Sequence, residues 1–357
     1  MKKRAWFGGL FFAIVLVAGL GVGARGTDGF RSRQDRAEAK SLTTKMKAIC
    51  VGRYLIDVPI QARVGLPPAR MAGFEVDTRK ESGAAFRQRI AAREADIRTD
   101  PGYPSGQDGM EEARDISMSG MVGRTFVFGR RRNYLMDGER RVDIESVSIE
   151  AHAHMQGVSV MLSGNGQSAA RANVAQALLG QFRPRRDDEN PGMSGFCVDH
   201  GIFLEPLPPH KTEHFTMRIG FPAHPDARML FESMPGGDGG PGLLARTTAA
   251  DAEAGGAPWV TKLRQGKRGI NGVAGEEVLE KAREQNARTS YAFNWEAQGA
   301  LDDPLQPSLS LELQTGAGER PGGQPVDSSL SEDTILALWD AISSSIRPRR
   351  NQPPRRP

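Results

Sequence analysis

No Gly-x-Ser-x-Gly pentapeptide occurs in the 357 residues, so the sharp-turn serine that common acyl-transfer enzymes use is missing. Gly102-Tyr-Pro-Ser105 carries its serine one position late, and after Gly192-Met-Ser194 the required second glycine is replaced by Phe196; both are read as loop serines. His-Glu-x-x-His is also absent. Of the scattered histidines His152, His154, His200, His210, His214 and His224, only the first two would share a strand face, and no third ligand completes a metal site. Arg264-Gln-Gly-Lys-Arg268-Gly-Ile-Asn-Gly272 lacks the Lys-Ser/Thr ending of a phosphate-cradling loop and reads as a basic turn between strands. Gly21, Gly23 and Gly26 match Gly-x-Gly-x-x-Gly but follow no packed strand. The acid pairs Glu276-Glu277 and Asp302-Asp303 would face opposite ways on a strand and read as solvated. No catalytic, cofactor-binding or metal-ligating residue is nominated, which points to a protein that is not an enzyme and needs no cofactor.

A global basic footprint is lacking as well, although the sequence pI is about 9.2. The formal charge is +4; removing Lys2, Lys3 and Arg4 and the five arginines from Arg347 onward takes away eight positive charges and leaves −4. That balance excludes nucleic acid as a general partner. Cysteine occurs only twice, at Cys50 and Cys197. In an oxidising compartment the pair can bridge, and the alternative is two separately buried thiols.

Long apolar runs are confined to the start. Lys2, Lys3 and Arg4 precede a charge-free stretch from Ala5 to Ala24 that ends in Val22-Gly23-Ala24. Cleavage after Ala24 would make residues 1–24 a secretory signal peptide; retention would make them an inner-membrane anchor through residues 5–24. Either outcome exports the remainder. Lipid attachment is excluded, because no cysteine follows the run closely.

Residues 25–47 are polar with little apolar periodicity and read as a tether. A charged Pro/Gly stretch, Arg183 to Gly192, marks a boundary between an N-terminal domain (48–186) and a C-terminal domain (193–349), each long enough for its own core. The proline-rich end from Arg347, and above all 350–357, is expected to be a disordered basic tail. Helices are expected over Gly83–Arg98 (Phe86, Ile90 and Ile97 on one face), over Ala169–Phe182, and after a capping box Ser329-Leu-Ser-Glu332. Alternating strands carry Val158/Val160/Leu162, Phe215/Met217/Ile219/Phe221, Tyr291/Phe293/Trp295 (core rather than ligand platform) and Leu309/Leu311/Leu313. Strand follows strand with few helices between, so the fold class is α+β with two similar, largely antiparallel sheets.

The halves echo one another in order. Cys50-Val-Gly-Arg-Tyr-Leu-Ile-Asp-Val-Pro59 matches Cys197-Val-Asp-His-Gly-Ile-Phe-Leu-Glu-Pro206, and Gly120-Met-Val-Gly123 matches Gly272-Val-Ala-Gly275. Ile149-Glu-Ala-His152 matches Trp295-Glu-Ala-Gln298, Met161-Leu-Ser-Gly164 matches Leu313-Gln-Thr-Gly316, and Phe182-Arg-Pro-Arg185 matches Ile346-Arg-Pro-Arg349. Five matches in one order suggest a duplication; coincidence among short Gly and apolar patterns is the alternative.

The segment Cys50–Pro59 resembles the N-terminal domain of the class-four immunity proteins that neutralise type VI secreted lipase (Tle) effectors. Gly195-Phe-Cys-Val-Asp199, the run Arg264 to Glu277, and Ser329-Leu-Ser-Glu332 continuing to Leu338-Trp-Asp340 are similar to that family's C-terminal domain. The resemblance spans roughly residues 46–349. It implies a periplasmic protein of two α+β domains that grips a secreted lipase like a claw and holds its lid shut. It implies no effector-contact residue, because the matching motifs look structural. An envelope scaffold without a toxin partner is the alternative function.

Overall fold

The computed structural model describes residues 23–99, 109–118 and 120–349, apart from 187–188, 190–191, 193, 205–206, 209–210, 238, 254–258, 302 and 319–322. The first half opens with helix α1 (Gly23–Thr44), hairpin β1 (Met46–Val51) and β2 (Tyr54–Pro59), and short strands β3 (Arg63–Gly65) and β4 (Ala69–Met71). It continues through β5 (Phe74–Lys80), α2 (Gly83–Thr99), β6 (Met110–Met118), β7 (Met121–Asp137), β8 (Arg140–Met155), β9 (Val158–Gln167), α3 (Arg171–Gln181) and β10 (Phe182–Pro184). The second half runs β11 (Phe196–Val198), β12 (Gly201–Phe203), β13 (Glu213–Phe221), β14 (His224–Met234), α4 (Leu243–Glu253) and β15 (Val260–Lys267). It ends with β16 (Glu276–Arg283), β17 (Thr289–Ala297), β18 (Ser308–Gln314), α5 (Glu332–Ser343) and β19 (Arg347–Pro348).

The two halves repeat one topology. Outward from the seam between β13 and β4, the large sheet runs β13-β14-β18-β17-β16-β15 on one side and β4-β5-β9-β8-β7-β6 on the other. Every pairing in it is antiparallel. The sequence echoes fall on or beside corresponding strands of the halves, though not in one register: Glu150 pairs with Ser163, Glu296 with Ser310. Gly120–Gly123 spans the start of β7 and Gly272–Gly275 immediately precedes β16, while Glu150 lies on β8 and Glu296 on its counterpart β17.

The small three-stranded sheets show how the repeats are joined. Hairpin β11–β12 takes β10, the strand that ends the first half, as its third member; hairpin β1–β2 takes β19, the strand that ends the second. The joints match in detail: Arg185 N–H donates to His200 O (3.0 Å), and Arg349 N–H donates to Arg53 O (2.9 Å). Cys50 and Cys197 face each other where the joints meet, bonded as a disulfide with Cα atoms 5.8 Å apart. Gly52 and Cys197 exchange both backbone hydrogen bonds beside it (2.9 and 2.8 Å).

These joints pack the two halves against each other across the boundary read from the sequence. The start of the first half packs on the second: β2 lies against α5 and β19, and β3 pairs with β13. One apolar core therefore runs through both halves, from Ile56, Phe74 and Leu162 to Phe231, Trp295 and Trp339. Residues 25–47 are not a tether. They lie mostly in α1, which packs along α5, buries Leu42 and offers Asp35 O to the Thr334 hydroxyl (3.2 Å). Among the described side chains of α1, Leu42 is the one buried apolar residue and makes no periodic stripe, which explains the polar reading. The end of the chain also packs further than expected. Arg347 pairs with Asp57 (3.0 Å), Pro348 sits on the edge strand β19, where a missing N–H is tolerated, and Arg349 donates to Gly195 O (3.2 Å). Residues 350–357 and the segment 1–22 lie outside the described residues. Among those described, no helix is long and apolar enough to cross a membrane.

The expected helices form, with Phe86, Ile90 and Ile97 buried on α2 and Ile335, Leu338, Trp339 and Ile342 buried on α5. The α5 cap differs: Ser331, not Ser329, accepts from Thr334 N–H. Ser329 is held by other partners, its N–H by Asp226 (3.1 Å) and its hydroxyl by His224 (3.0 Å).

Candidate functional site

Among the described residues, the histidine-centred clusters are tied into packing. His152 and His154 do share a face of β8, beneath α2. His152 lies 2.9 Å from Glu150, whose carboxylate also takes a bidentate pair from Arg93 of α2 (2.6 and 3.0 Å). The His154 ring stacks on Phe86 at 5.4 Å, and its Nε2 sits 3.0 Å from Glu81 O. The second half repeats the motif without histidine: Glu296 of β17 takes Arg246 of α4 at 2.6 Å. Each glutamate fastens the crossing helix to its sheet.

Burial raises the Glu150 carboxyl, but the hydrogen bonds and charges of His152 and Arg93 outweigh it and hold the group at about 2. A depressed folded value stabilises the fold above the ordinary carboxylate range of about 4.5, and that contribution fades as pH falls toward about 2. Urea unfolding at pH 5 and pH 2.5 should show a smaller loss in Glu150→Gln than in wild type; equal losses would refute this assignment.

His224, Ser329 and Glu38 form a further histidine-centred group, with Ser329 Oγ at 3.0 Å and Glu38 Oε1 at 3.5 Å. His224 is only 7% exposed, so no substrate reaches it; the group pins α1 against the segment before α5. Among the described residues no cluster of three or more His, Cys, Asp or Glu could hold a metal ion. His200 pairs with Asp199 (3.2 Å), burial pushes His214 down, and His210, Ser105 and Asp302 lie outside the described residues. Asp303 caps a turn, accepting from Leu305 N–H (2.8 Å).

Glu277 is the main departure from the sequence reading. Far from being solvated, its carboxylate is buried and accepts from Arg264 (2.5 Å), Arg268 and the Trp339 indole N–H (2.7 Å). Arg264 reaches on to Asp340 (2.6 Å), and Asn271 donates to Ser344 O (2.9 Å) and Ile346 O (2.7 Å) at the end of α5. The basic turn is therefore a latch that fixes α5 to the sheet, and its arginines are committed to carboxylates. Trp295 Nε1 completes it by donating to Arg268 O (2.9 Å).

Exposed apolar side chains concentrate at a few places. The most prominent is an arm, the outer part of hairpin β7–β8, whose pairing continues past a bulge from Arg131↔Ser146 to Asp137↔Arg140. Tyr134 (58%) and Met136 (55%) are more than half exposed there, and Leu135 and Ile144 are exposed beside them. Asp137-Gly138 is the signal that could have found the arm in the sequence: Gly138 has φ of +60° at the first central position of a two-residue turn, as tight hairpins require. Trp259, Leu301 and Leu305 are exposed on the second half. A groove of about 720 Å³ crosses the outer sheet face between Arg63, Arg218, Arg228, Leu230, Glu312 and Gln314. Burial, with the charges of Glu232 and Glu296, raises the Glu312 carboxyl.

Both halves match sequence models of one family: the Tle cognate immunity protein 4 N-terminal domain over residues 47–177 and its C-terminal domain over 189–351. The chain belongs to the Tle cognate immunity protein 4 family. This immunity protein is a non-enzymatic binder whose partner is a protein, the Tle effector. No curated protein matches it. The crystal structure of a Tle4-Tli4 complex contains a similar fold, with TM-score 0.70 and 24% identity over 87% of this chain and 99% of that one. The immunity protein TplEi of the type VI secretion system of Pseudomonas aeruginosa is similar in its apo form, with TM-score 0.69 and 25% identity over 86% of this chain and 98% of that one. TplEi complexed with "L" peptide gives TM-score 0.67 and 24% identity over 86% and 99%. The motifs that carried the resemblance now have structural roles in this immunity protein: the joint hairpins, the Glu277 latch and α5.

Proposed function

We propose that this protein acts in the periplasm, where it binds a type VI secreted lipase one-to-one and blocks it by clamping, with the lid held shut and substrate kept out. The observation that carries this reading is family membership in both halves, on a fold that matches, over 87% of this chain, a chain solved in a Tle4-Tli4 complex. Export is supported by Lys2, Lys3 and Arg4 ahead of the charge-free residues 5–24, which are either removed after Ala24 or kept as an inner-membrane anchor. The Cys50–Cys197 bond suits the same compartment, because structural disulfides persist where the surroundings oxidise. A clamp that spans both halves would bury more than the ~1,600 Å² of a standard interface.

The test is co-production of the full chain with a lipase effector of the same bacterium directed to the periplasm. Growth and intact phospholipid are expected with the immunity protein and lysis without it. Full lipase activity in the presence of equimolar purified protein would end this reading. An envelope pull-down that returned secretion or wall components and no lipase would favour a scaffold instead.

A further inference from the structure

The internal repeat acts as a control on what the fold needs. Whatever both halves possess can belong to the shared architecture; whatever one half alone possesses does not. By that criterion the arm stands out. Strands β7 and β8 run 17 and 16 residues, whereas their counterparts β16 and β17 run 8 and 9. Beyond the bulge at Phe128/Arg131 the arm adds seven register pairs, a reach of roughly 20 Å at strand spacing. From Arg130 to Glu145 every side chain but the half-buried Val142 is exposed, so the extension contributes almost nothing to the core. A free hairpin that displays Tyr134, Leu135, Met136 and Ile144 is an aggregation liability unless another surface covers it.

We infer that this arm is the principal effector-contacting element, and that it docks on the apolar rim around the effector's substrate opening. The inference rests on the immunity reading above and assigns it a specific element. The chemistry of the arm selects among occupants. Tyrosine, methionine and arginine are the residue types enriched where proteins bind proteins. The arm carries charges of both signs in near-equal number, with Arg130 bonded to Glu111 (2.6 Å) and Glu145 (2.9 Å), Arg132 to Glu145 (2.7 Å) and Arg141 to Asp143 (2.8 Å). That near-balance does not fit an anionic lipid surface, which attracts an excess of positive charge. The Arg141 guanidinium lies 4.3 Å over the Tyr134 ring, so this anchor is held in place before any partner arrives, which lowers the ordering cost of binding. A lipase must expose apolar surface around its opening to admit acyl chains, and a hairpin with apolar side chains on both faces complements such a rim.

The experiment compares the full-length protein with the variant Tyr134→Ser/Leu135→Ser/Met136→Ser in binding to the type VI lipase effector of the same bacterium, measured by calorimetry. The three side chains are exposed, so the variant should keep the wild-type unfolding midpoint. Its dissociation constant should rise at least about a hundred-fold, while Trp259→Ser on the other half should change it by less than about threefold. Variant binding within about threefold of wild type would overturn the inference and leave the immunity reading intact. Failure of the wild type itself to bind would remove both. If the arm variant still bound the effector but lost self-association in sedimentation, or lost flotation with phosphatidylglycerol vesicles, the occupant would be a second copy or a membrane, and the inference would fall.

Discussion

Cys50→Ala/Cys197→Ala is expected to lower the unfolding free energy by about 4–5 kcal/mol, measured by urea denaturation of the oxidised wild type against the variant. The bond spans a sequence separation of 147, and in the chain-entropy account a loop of that length restricts the unfolded chain strongly. The folded state has little reason to offset the loss. The two cysteines sit in a small buried cluster with Ile202, and both joints are tied across it by the paired hydrogen bonds of Gly52 and Cys197. Arg185 adds a second tie, donating from one guanidinium nitrogen to Cys50 O and to Val198 O (3.4 and 3.0 Å). Reduction of the wild type should reproduce the change. A difference below about 1 kcal/mol would mean that the unfolded chain already holds these segments together.

Glu277→Ala is expected to cost about 3 kcal/mol in the same assay. The substitution removes the one acceptor shared by two arginines and the Trp339 indole, and the indole lies in the core, where water cannot replace the lost partner. Arg264 and Arg268 are partly exposed and can rehydrate, which keeps the loss at the low end for a broken buried pair. Glu277→Gln keeps a carbonyl for the indole and should lose about half as much. If both variants matched wild type, the latch would contribute nothing to the attachment of α5.

Elements with a strong apolar period were legible in the sequence. Ile335, Leu338, Trp339 and Ile342 announce α5, and the alternation in Tyr291/Phe293/Trp295 announces β17; each is decided by burial of one face. The five ordered echoes revealed the repeat because turn glycines and strand starts constrain residue type wherever they recur. Features decided by distant contacts were not legible. Helix α1 docks through Leu42 and polar groups, so no stripe betrays it. Glu277 looks like any strand glutamate until Arg264, Arg268 and Trp339 converge from β15, the loop after it and α5. The joints were hidden because the segment up to Pro59 meets its partners Arg347 and Pro348 only after nearly the whole chain has been laid down. The arm carried a local signal, Asp137-Gly138 between strand-like runs, but its exposure is set by where the sheet stops and not by the hairpin itself.

The pairing of β19 with β2 makes the backbone a closed circuit that is cut at one joint and continuous at the other. Packing at the two joints is so alike that the position of the cut is incidental to the architecture. Linking residue 349 to residue 46 by a short peptide and reopening the backbone between 187 and 193 would leave every strand neighbour unchanged. A rearranged gene of that kind would drop α1 and encode the two halves in the opposite order.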